Sequence, residues 1–239
     1  VLAIDTATEA CSVALARDGQ ISERTETVGQ KHSERLLPLV QQMLGDAGLI
    51  LSDCDAIAFG AGPGAFTGLR IACGVAQGLA FGAGRPVVAV GNLEALALAA
   101  SRDAPAARTV LVAIDARMQE AYWALYSVDH GDLAEVTAPA LAAADALAEI
   151  CRDHAPDLAA GNAFRTFQQA IGTLACATAP EASASASSIA ALALRKLAQG
   201  GAVAAELAAP IYVRDRVALT IDERRSLFPG EKAGRAGAR

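Results

Sequence analysis

The residues best placed to do chemistry in this chain form one short run, Gly60-Ala61-Gly62-Pro63-Gly64-Ala65-Phe66-Thr67-Gly68-Leu69-Arg70-Ile71. Glycine lets the backbone come close to a ligand or to another polypeptide. A helix opening behind the run would turn free N–H groups toward an anion. The chemistry on offer is therefore phosphate binding or close backbone packing. Spacing weighs on that choice. No Gly-Lys-Ser/Thr follows, so the run is not a P-loop, and the dinucleotide pattern G-x-G-x-x-G is also missing. Gly60, Gly62 and Gly64 alternate around Pro63, which fits a tight turn better than a phosphate cradle.

A second set of candidates sits at strand ends. Asp5 with Thr6 and Thr8 reads as a phosphate or magnesium contact, or as a group that only satisfies turn amides. Asp115 and Arg117, with Gln119 beyond, offer a thin counterpart, because Ala116 stands where Thr6 would be. No metal site is predicted. His32, His130 and His154 are far apart, and a lone imidazole does not close a site. Glu94, Asp103, Glu120 and Glu149 form no acid–base pair by spacing. Neither a Gly-x-Ser-x-Gly elbow nor H-E-x-x-H occurs.

Periodicity assigns the strands and helices that carry these groups. Val1–Asp5, Cys11–Ala16 and Ile21–Val28 read as strands, with a turn at Arg17-Asp18-Gly19-Gln20. Ser33 is placed as the N-cap of a helix to about Gly45, with an apolar stripe of Leu36, Leu37, Val40, Met43 and Leu44. A strand at Ala56–Phe59 leads into the glycine run. A helix follows from about Thr67 to Phe81, with Thr67 as a candidate cap. Pro86–Val90 is a strand, and Asn92 caps a helix to about Ala100. In the second half, Arg108–Asp115 and Ala121–Val128 form a hairpin. Pro139–Cys151 is read as a helix, Asp157–Ala160 as a strand, Phe164–Ile171 and Ile189–Gln199 as helices, and Pro210–Ile221 as extended. The order predicts an α/β fold. Ala3-Ile4-Asp5 recurs as Ala113-Ile114-Asp115, and Ala14-Leu15 as Ala124-Leu125 at the same offset. Two duplicated hairpins in shared register are therefore expected.

Domains are expected at 1–105, 106–228 and a disordered tail at 229–239. The chain has 239 residues, is 53% hydrophobic and 19% charged, and carries a net charge of −6, which opposes autonomous nucleic-acid binding. Arg214, Arg216, Arg224 and Arg225 make a local basic exception, read as a solvated tail or as an auxiliary contact to an acidic partner. Five scattered cysteines without C-x-x-C spacing read as reduced, mostly buried small hydrophobes in a cytoplasmic protein. No apolar run reaches the length of a membrane span, and the strand at Val1 leaves no room for a secretory signal. The helix behind the glycine run is small on nearly all faces (Gly68, Ala72, Cys73, Gly74, Ala76, Gly78, Ala80), which suits helix–helix contact.

Several of these pieces carry a resemblance. Ile4-Asp5-Thr6-Ala7-Thr8, Ser12-Val13-Ala14-Leu15, His32-Ser33-Glu34, the run Gly62 to Ile71, Asp115-Ala116-Arg117 and Tyr212-Val213-Arg214 resemble the bacterial TsaB (YeaZ) family over about Val1 to Arg225. The resemblance implies an actin-like ATPase (ribonuclease H-like) fold of duplicated halves, mixed sheets with helices on both faces. It implies a non-catalytic subunit that binds TsaD and recruits TsaE in making threonylcarbamoyladenosine at tRNA position 37. The resemblance also implies a homodimer when the subunit is alone, with tRNA met only through the complex. His32 matches the first position of the H-x-x-x-H metal pair of TsaD, and Leu36 replaces the second, so no metal is expected. No cofactor is expected for the chain by itself, with ATP or ADP at the joint surface with TsaD as a further option. The interface is expected at His32, Ser33, Leu36, Leu37, Val40, Phe66, Leu69, Arg70, Cys73 and Gln77. The rival reading is a small actin-like ATPase or kinase with Asp5, Thr6, Thr8, Asp115 and Arg117 at its nucleotide.

Overall fold

A computed structural model describes residues 1–129 and 131–213. Its first sheet is built from Leu2–Asp5 (β1), Ala10–Arg17 (β2), Gln20–Thr27 (β3), Ile57–Gly62 (β4) and Val87–Gly91 (β5), in the order β3-β2-β1-β4-β5. β1, β2 and β3 pair antiparallel, while β4 and β5 join in parallel. The apolar β1 is central and wholly buried. The polar β3 (Gln20-Ile21-Ser22-Glu23-Arg24-Thr25-Glu26-Thr27) forms an edge, where charged side chains discourage pairing with another chain. Helices His32–Asp46 (α1), Phe66–Ala83 (α2) and Asn92–Asp103 (α3) belong to the same half.

The second sheet repeats the path. Thr109–Asp115 (β6), Glu120–Asp129 (β7), Asp132–Ala143 (β8), Leu158–Ala160 (β9) and Ala177–Ala179 (β10) run in the order β10-β9-β6-β7-β8, the first sheet's order read from the other end. The helices here are Leu147–His154 (α4), Ala163–Thr166 (α5), Gln168–Ile171 (α6) and Ala186–Ala198 (α7). Two mixed sheets of matching strand order, each with helices on its faces, fit the duplicated plan that the resemblance implies.

Strand alternation sorts side chains onto two faces. In the first sheet, Leu2, Ile4, Val13, Ile57 and Phe59 meet α1 and α2 on the outer face. The small residues Ala3, Ala14 and Ala58 turn inward and admit α7 through Ile189, Ala190 and Ala193. In the second sheet, Leu111, Trp123 and Leu125 meet α4, α5 and α6 outside. Val110, Val112, Ala124 and Tyr126 meet Leu93, Leu96 and Ala100 of α3 inside. The inner helices are thus exchanged: α7 covers the first sheet and α3 the second.

Several expectations need correction. The hairpins do not share register. Asp5 faces Ser12, seven positions on, whereas Asp115 faces Ala121, six positions on. The second connection is one residue tighter. The segment Pro139–Cys151 is not one helix. Pairing with β7 carries β8 through Ala143, a 3-10 turn spans Ala144–Ala146, and α4 begins only at Leu147. Cross-strand pairing overrides the helix propensity of those alanines. Phe164–Ile171 breaks into α5 and α6 at Phe167, and β10 was not anticipated. Ser33, Thr67 and Asn92 do not cap their helices. The N-caps are Lys31, Ala65 and Gly91, and none makes a side-chain cap bond. The cysteines are unpaired and four of the five are buried, as expected. His130 and the residues from Arg214 onward, including the basic cluster and the expected tail, lie outside the described residues.

Candidate functional site

The glycine run begins inside β4 and ends in the first turn of α2. Its glycines are demanded by the chain's own backbone. A β-carbon on Gly68 would collide with the carbonyl oxygen of Thr6, and one on Gly64 would stand 2.8 Å from the Ala7 β-carbon. On the other flank, Gly62 holds φ of 126°, and a β-carbon there would lie 2.5 Å from the Ile211 carbonyl oxygen. The two approaches are bonded in place. The Ala65 N–H donates to Ala7 C=O at 3.0 Å, and the Ile211 N–H donates to Ala61 C=O at 2.8 Å. The space that would serve a phosphate is thus occupied by the β1–β2 turn and by the stretch around Ile211.

Asp5 and Thr6 are engaged in the same packing. The Thr6 hydroxyl donates to Gly68 C=O at 2.7 Å. Asp5 Oδ1 accepts from Asn92 Nδ2 at 3.0 Å and from the Ala7 N–H at 3.3 Å. Asn92 Oδ1 in turn accepts from the Gly62 N–H at 2.6 Å. Asn92, read from sequence as a cap, is therefore the link between Asp5 and the glycine run. Gly60 leaves room for it, since a β-carbon there would strike the Asp5 carboxylate. Burial pushes the Asp5 pKa up to about 6, against the lowering pull of the Asn92 and backbone hydrogen bonds. Thr8 is exposed, and its hydroxyl accepts from the Ala10 N–H within its own turn. The N-terminus of α7 closes the inner side: the Ala186 N–H donates to Ser12 Oγ and the Ser187 N–H to Glu23 Oε1.

The second half places its aspartate differently. The Asp115 N–H donates to Asn162 Oδ1 at 2.9 Å, and the Asp115 carboxylate accepts from the Arg117 N–H at 2.7 Å. Arg117 Nη1 stands 3.3 Å from the same carboxylate. Among the nucleotide-contact candidates, Asp5 and Thr6 are therefore buried and mutually committed within one half. Asp115 holds its own turn together. No group of three His, Cys, Asp or Glu among the described residues is arranged to hold a metal. His32 is buried, and its Nε2 lacks a hydrogen-bond partner among the described residues. Leu36, one turn on, is fully buried in the apolar core.

The interface candidates on α1 and α2 divide by burial. Leu36, Val40, Leu69 and Cys73 are packed inside the chain, so they correct the expectation of a shared surface: the helical stripe read from periodicity is the stripe facing the sheet. Leu39, not Leu37, belongs to that stripe. Leu37 is 44% exposed on the outer face, near the exposed Ser33. Gln77 Nε2 donates to Ala208 C=O at 2.9 Å, binding the C-terminal stretch to α2. Phe66 and Arg70 remain outside. The Arg70 guanidinium lies 3.9 Å over the Phe66 ring, and its Nε stands 3.3 Å from the Tyr212 hydroxyl.

Sequence reasoning names Gly74 and Gly78 on this helix as suited to helix–helix contact, and it passes over Gly82 and Phe81. Gly74, Gly78 and Gly82 recur every fourth residue on α2, and a β-carbon on any of them would meet nothing within 4 Å. Phe81 projects beside them at 80% exposure. The i, i+4, i+8 glycine spacing, absent from the buried stripe, was the available signal.

Comparisons with known proteins converge. A family model described as TsaD, tRNA N6-adenosine threonylcarbamoyltransferase, matches residues 24–221. The Escherichia coli tRNA threonylcarbamoyladenosine biosynthesis protein TsaB is 39% identical over 223 residues, covering 91% of this chain and 96% of that protein. The Haemophilus influenzae protein of the same name is 50% identical over 123 residues, 52% of each chain. Two solved structures from Pseudomonas aeruginosa are each 42% identical. One is described as similar to the peptidase YeaZ (TM-score 0.82, covering 89% of this chain and 98% of the other). The second is YeaZ itself (TM-score 0.80, covering 88% and 98%).

Proposed function

This chain belongs to the TsaB (YeaZ) family, and on that basis we propose that it is a non-catalytic, partner-binding subunit in the biosynthesis of tRNA threonylcarbamoyladenosine. Its partner is a TsaD-type transferase, and in the absence of that partner a second copy of this chain takes the same face. Recruitment of a TsaE-type ATPase and contact with tRNA occur through the assembled complex.

One observation carries the reading: the outer face of α2. A helix that leaves Gly74, Gly78 and Gly82 bare, between the exposed Phe66 and Phe81, allows a partner helix to approach backbone to backbone. Leu37 of α1 adds apolar area beside it. A specific contact of this kind buries roughly 1,600 Å² in total.

The non-catalytic part is supported by the filled glycine run and by the commitment of Asp5 and Thr6 to packing. The rival ATPase reading needs those groups free to meet a nucleotide. ATP or ADP at the joint surface with the transferase would draw on residues of both chains.

Phe81→Asp combined with Gly78→Leu tests the interface. Calorimetric affinity for the transferase should fall at least 100-fold while circular dichroism is unchanged. Retained affinity would place the contact elsewhere. Titrating the isolated chain with ATP and magnesium should give no binding heat, and micromolar binding lost in Asp5→Ala would restore the enzyme reading.

A further inference from the structure

The stretch 203–212 runs along one flank of α2 and is bonded down over its length. Val203 exchanges backbone bonds of 2.8 and 2.9 Å with Val87 of β5. The Ala208 C=O accepts from Gln77 Nε2 at 2.9 Å and from Cys73 Sγ at 3.5 Å. The Ile211 N–H donates to Ala61 C=O, and the Tyr212 ring lies 5.8 Å from that of Phe66. Phe66, Arg70, Cys73, Gln77 and Phe81 recur at three- and four-residue spacing, so they form one row on the helix. The stretch is tied to this row from Phe66 to Gln77 and stands beside the bare glycines.

Inside the stretch the usual sorting of side chains is reversed. Ala205 and Ala208 are buried in the cluster that holds Ala72, Ala76 and Ala80. Leu207, the one bulky apolar residue of the turn Ala205–Leu207, is 69% exposed. Ile211 and Tyr212 are exposed as well. Single exposed apolar residues need no explanation, whereas a group of them marks a contact surface. Here they line one side of a helix that leaves Gly74 and Gly78 open and ends in the exposed Phe66 and Phe81. The shape is a groove with a glycine floor and a raised apolar wall.

We propose that the stretch 203–212 is a second contact element for the transferase-type partner, with Leu207 as its anchor. The inference deepens the reading above and rests on it. Area argues for a second element. An α2 of 18 residues is about 27 Å long and about 10 Å wide, an outline of roughly 270 Å². A specific interface takes about 800 Å² from each partner, so the helix needs its surroundings. The family match argues for the occupant. Residues 24–221 match the family model of that transferase, so the partner shares the element order that builds α2. Two like helices can then lie in one another's grooves about a pseudo-two-fold axis. A wall already bonded in place loses little conformational freedom on docking.

The test is calorimetric affinity for the transferase. Leu207→Glu should weaken binding about tenfold or more, with circular dichroism unchanged. Leu207→Met should stay within about twofold of wild type, and so should Val136→Glu, at a similarly exposed apolar site on β8. Unchanged affinity in Leu207→Glu overturns the proposal. An equal loss in Val136→Glu does so too, because added charge alone then accounts for the effect. If Leu207→Glu splits a dimer of the isolated chain in light scattering yet keeps the transferase, the occupant is a second copy. If it keeps the transferase and only speeds tryptic cleavage at Arg214 or Arg216, the occupant is the chain's own last residues. Either result overturns the proposal. Phe81→Asp with Gly78→Leu, run alongside, separates the two readings. Loss there without loss in Leu207→Glu removes the wall and leaves the α2 face standing. Loss in neither removes the α2 face and the wall with it.

Discussion

In the first half, the tip between β1 and β2 lies under the N-terminus of α2, with Thr6 and Ala7 buried and Asp5 tied to Asn92. In the second, the tip between β6 and β7 stands clear, with Arg117 and Met118 in solvent. Both halves place an aspartate at the end of the first strand and an asparagine close by. The difference lies in the helix that each half builds after its fourth strand. β4 leads into an 18-residue helix that reaches back over the tip, whereas β9 leads only into two four-residue helices. Asn92 accordingly donates to a buried carboxylate, while Asn162 accepts from the Asp115 backbone N–H. One aspartate became a packing element, and the other became the anchor of a turn. Duplication fixed the strand path, and helix length decided which tip was covered.

The comparison breaks most visibly at Gly68. Gly68→Ala drives a β-carbon into the Thr6 carbonyl and should cost about 3 kcal/mol or more, read by urea unfolding. On the open side of the same helix, Gly78→Ala should instead gain up to about 1 kcal/mol. Equal effects at the two positions would mean that α2 does not rest on the first tip.

Asp5 gives the next largest effect, through pH. Its folded pKa of about 6 stands above the ordinary 3.8. The native state thus keeps a proton that the unfolded chain has already released. The contribution of this carboxyl group to stability is therefore greatest below about pH 4, falls as pH rises to about 6, and is flat above. Asp5→Asn should abolish that slope and gain up to about 3 kcal/mol at pH 7. An unchanged slope between pH 4 and 6 would mean the carboxylate is not shielded by the covered tip.

The smallest effect concerns the stretch that seals the glycine run. Tyr212→Ala removes the partner of Phe66 and Arg70 and should cost about 1 kcal/mol, with faster proteolysis after Ala208. No change in cleavage would show that the backbone bond of Ile211 and the Gln77–Ala208 bond hold this stretch without the ring.

The alternation of Leu2, Ala3 and Ile4, the polar edge at Gln20–Thr27 and the stripe at Leu36, Val40 and Met43 made the layers legible, because local periodicity reports burial directly. It could not separate a face buried in the chain from a face buried in a partner, and so Leu36, Val40, Leu69 and Cys73 were placed on the wrong side. The glycine run was legible as a place of close approach. The residues that approach it, Thr6, Ala7 and Ile211, lie about 50 to 150 residues away along the chain. Segment 139–146 was lost for a similar reason, since alanine-rich chain takes the form its neighbour β7 imposes.

The exchange of inner helices has a consequence for how this molecule can be divided. A fragment ending near residue 105 would leave Ala3, Ala14, Ala58 and Val88 without α7, and the complementary fragment would leave Val110, Val112 and Tyr126 without α3. The halves are interlocked like clasped hands. Each lends the other a lid, so thermal unfolding should run as a single transition and neither half should persist as an autonomous folding unit.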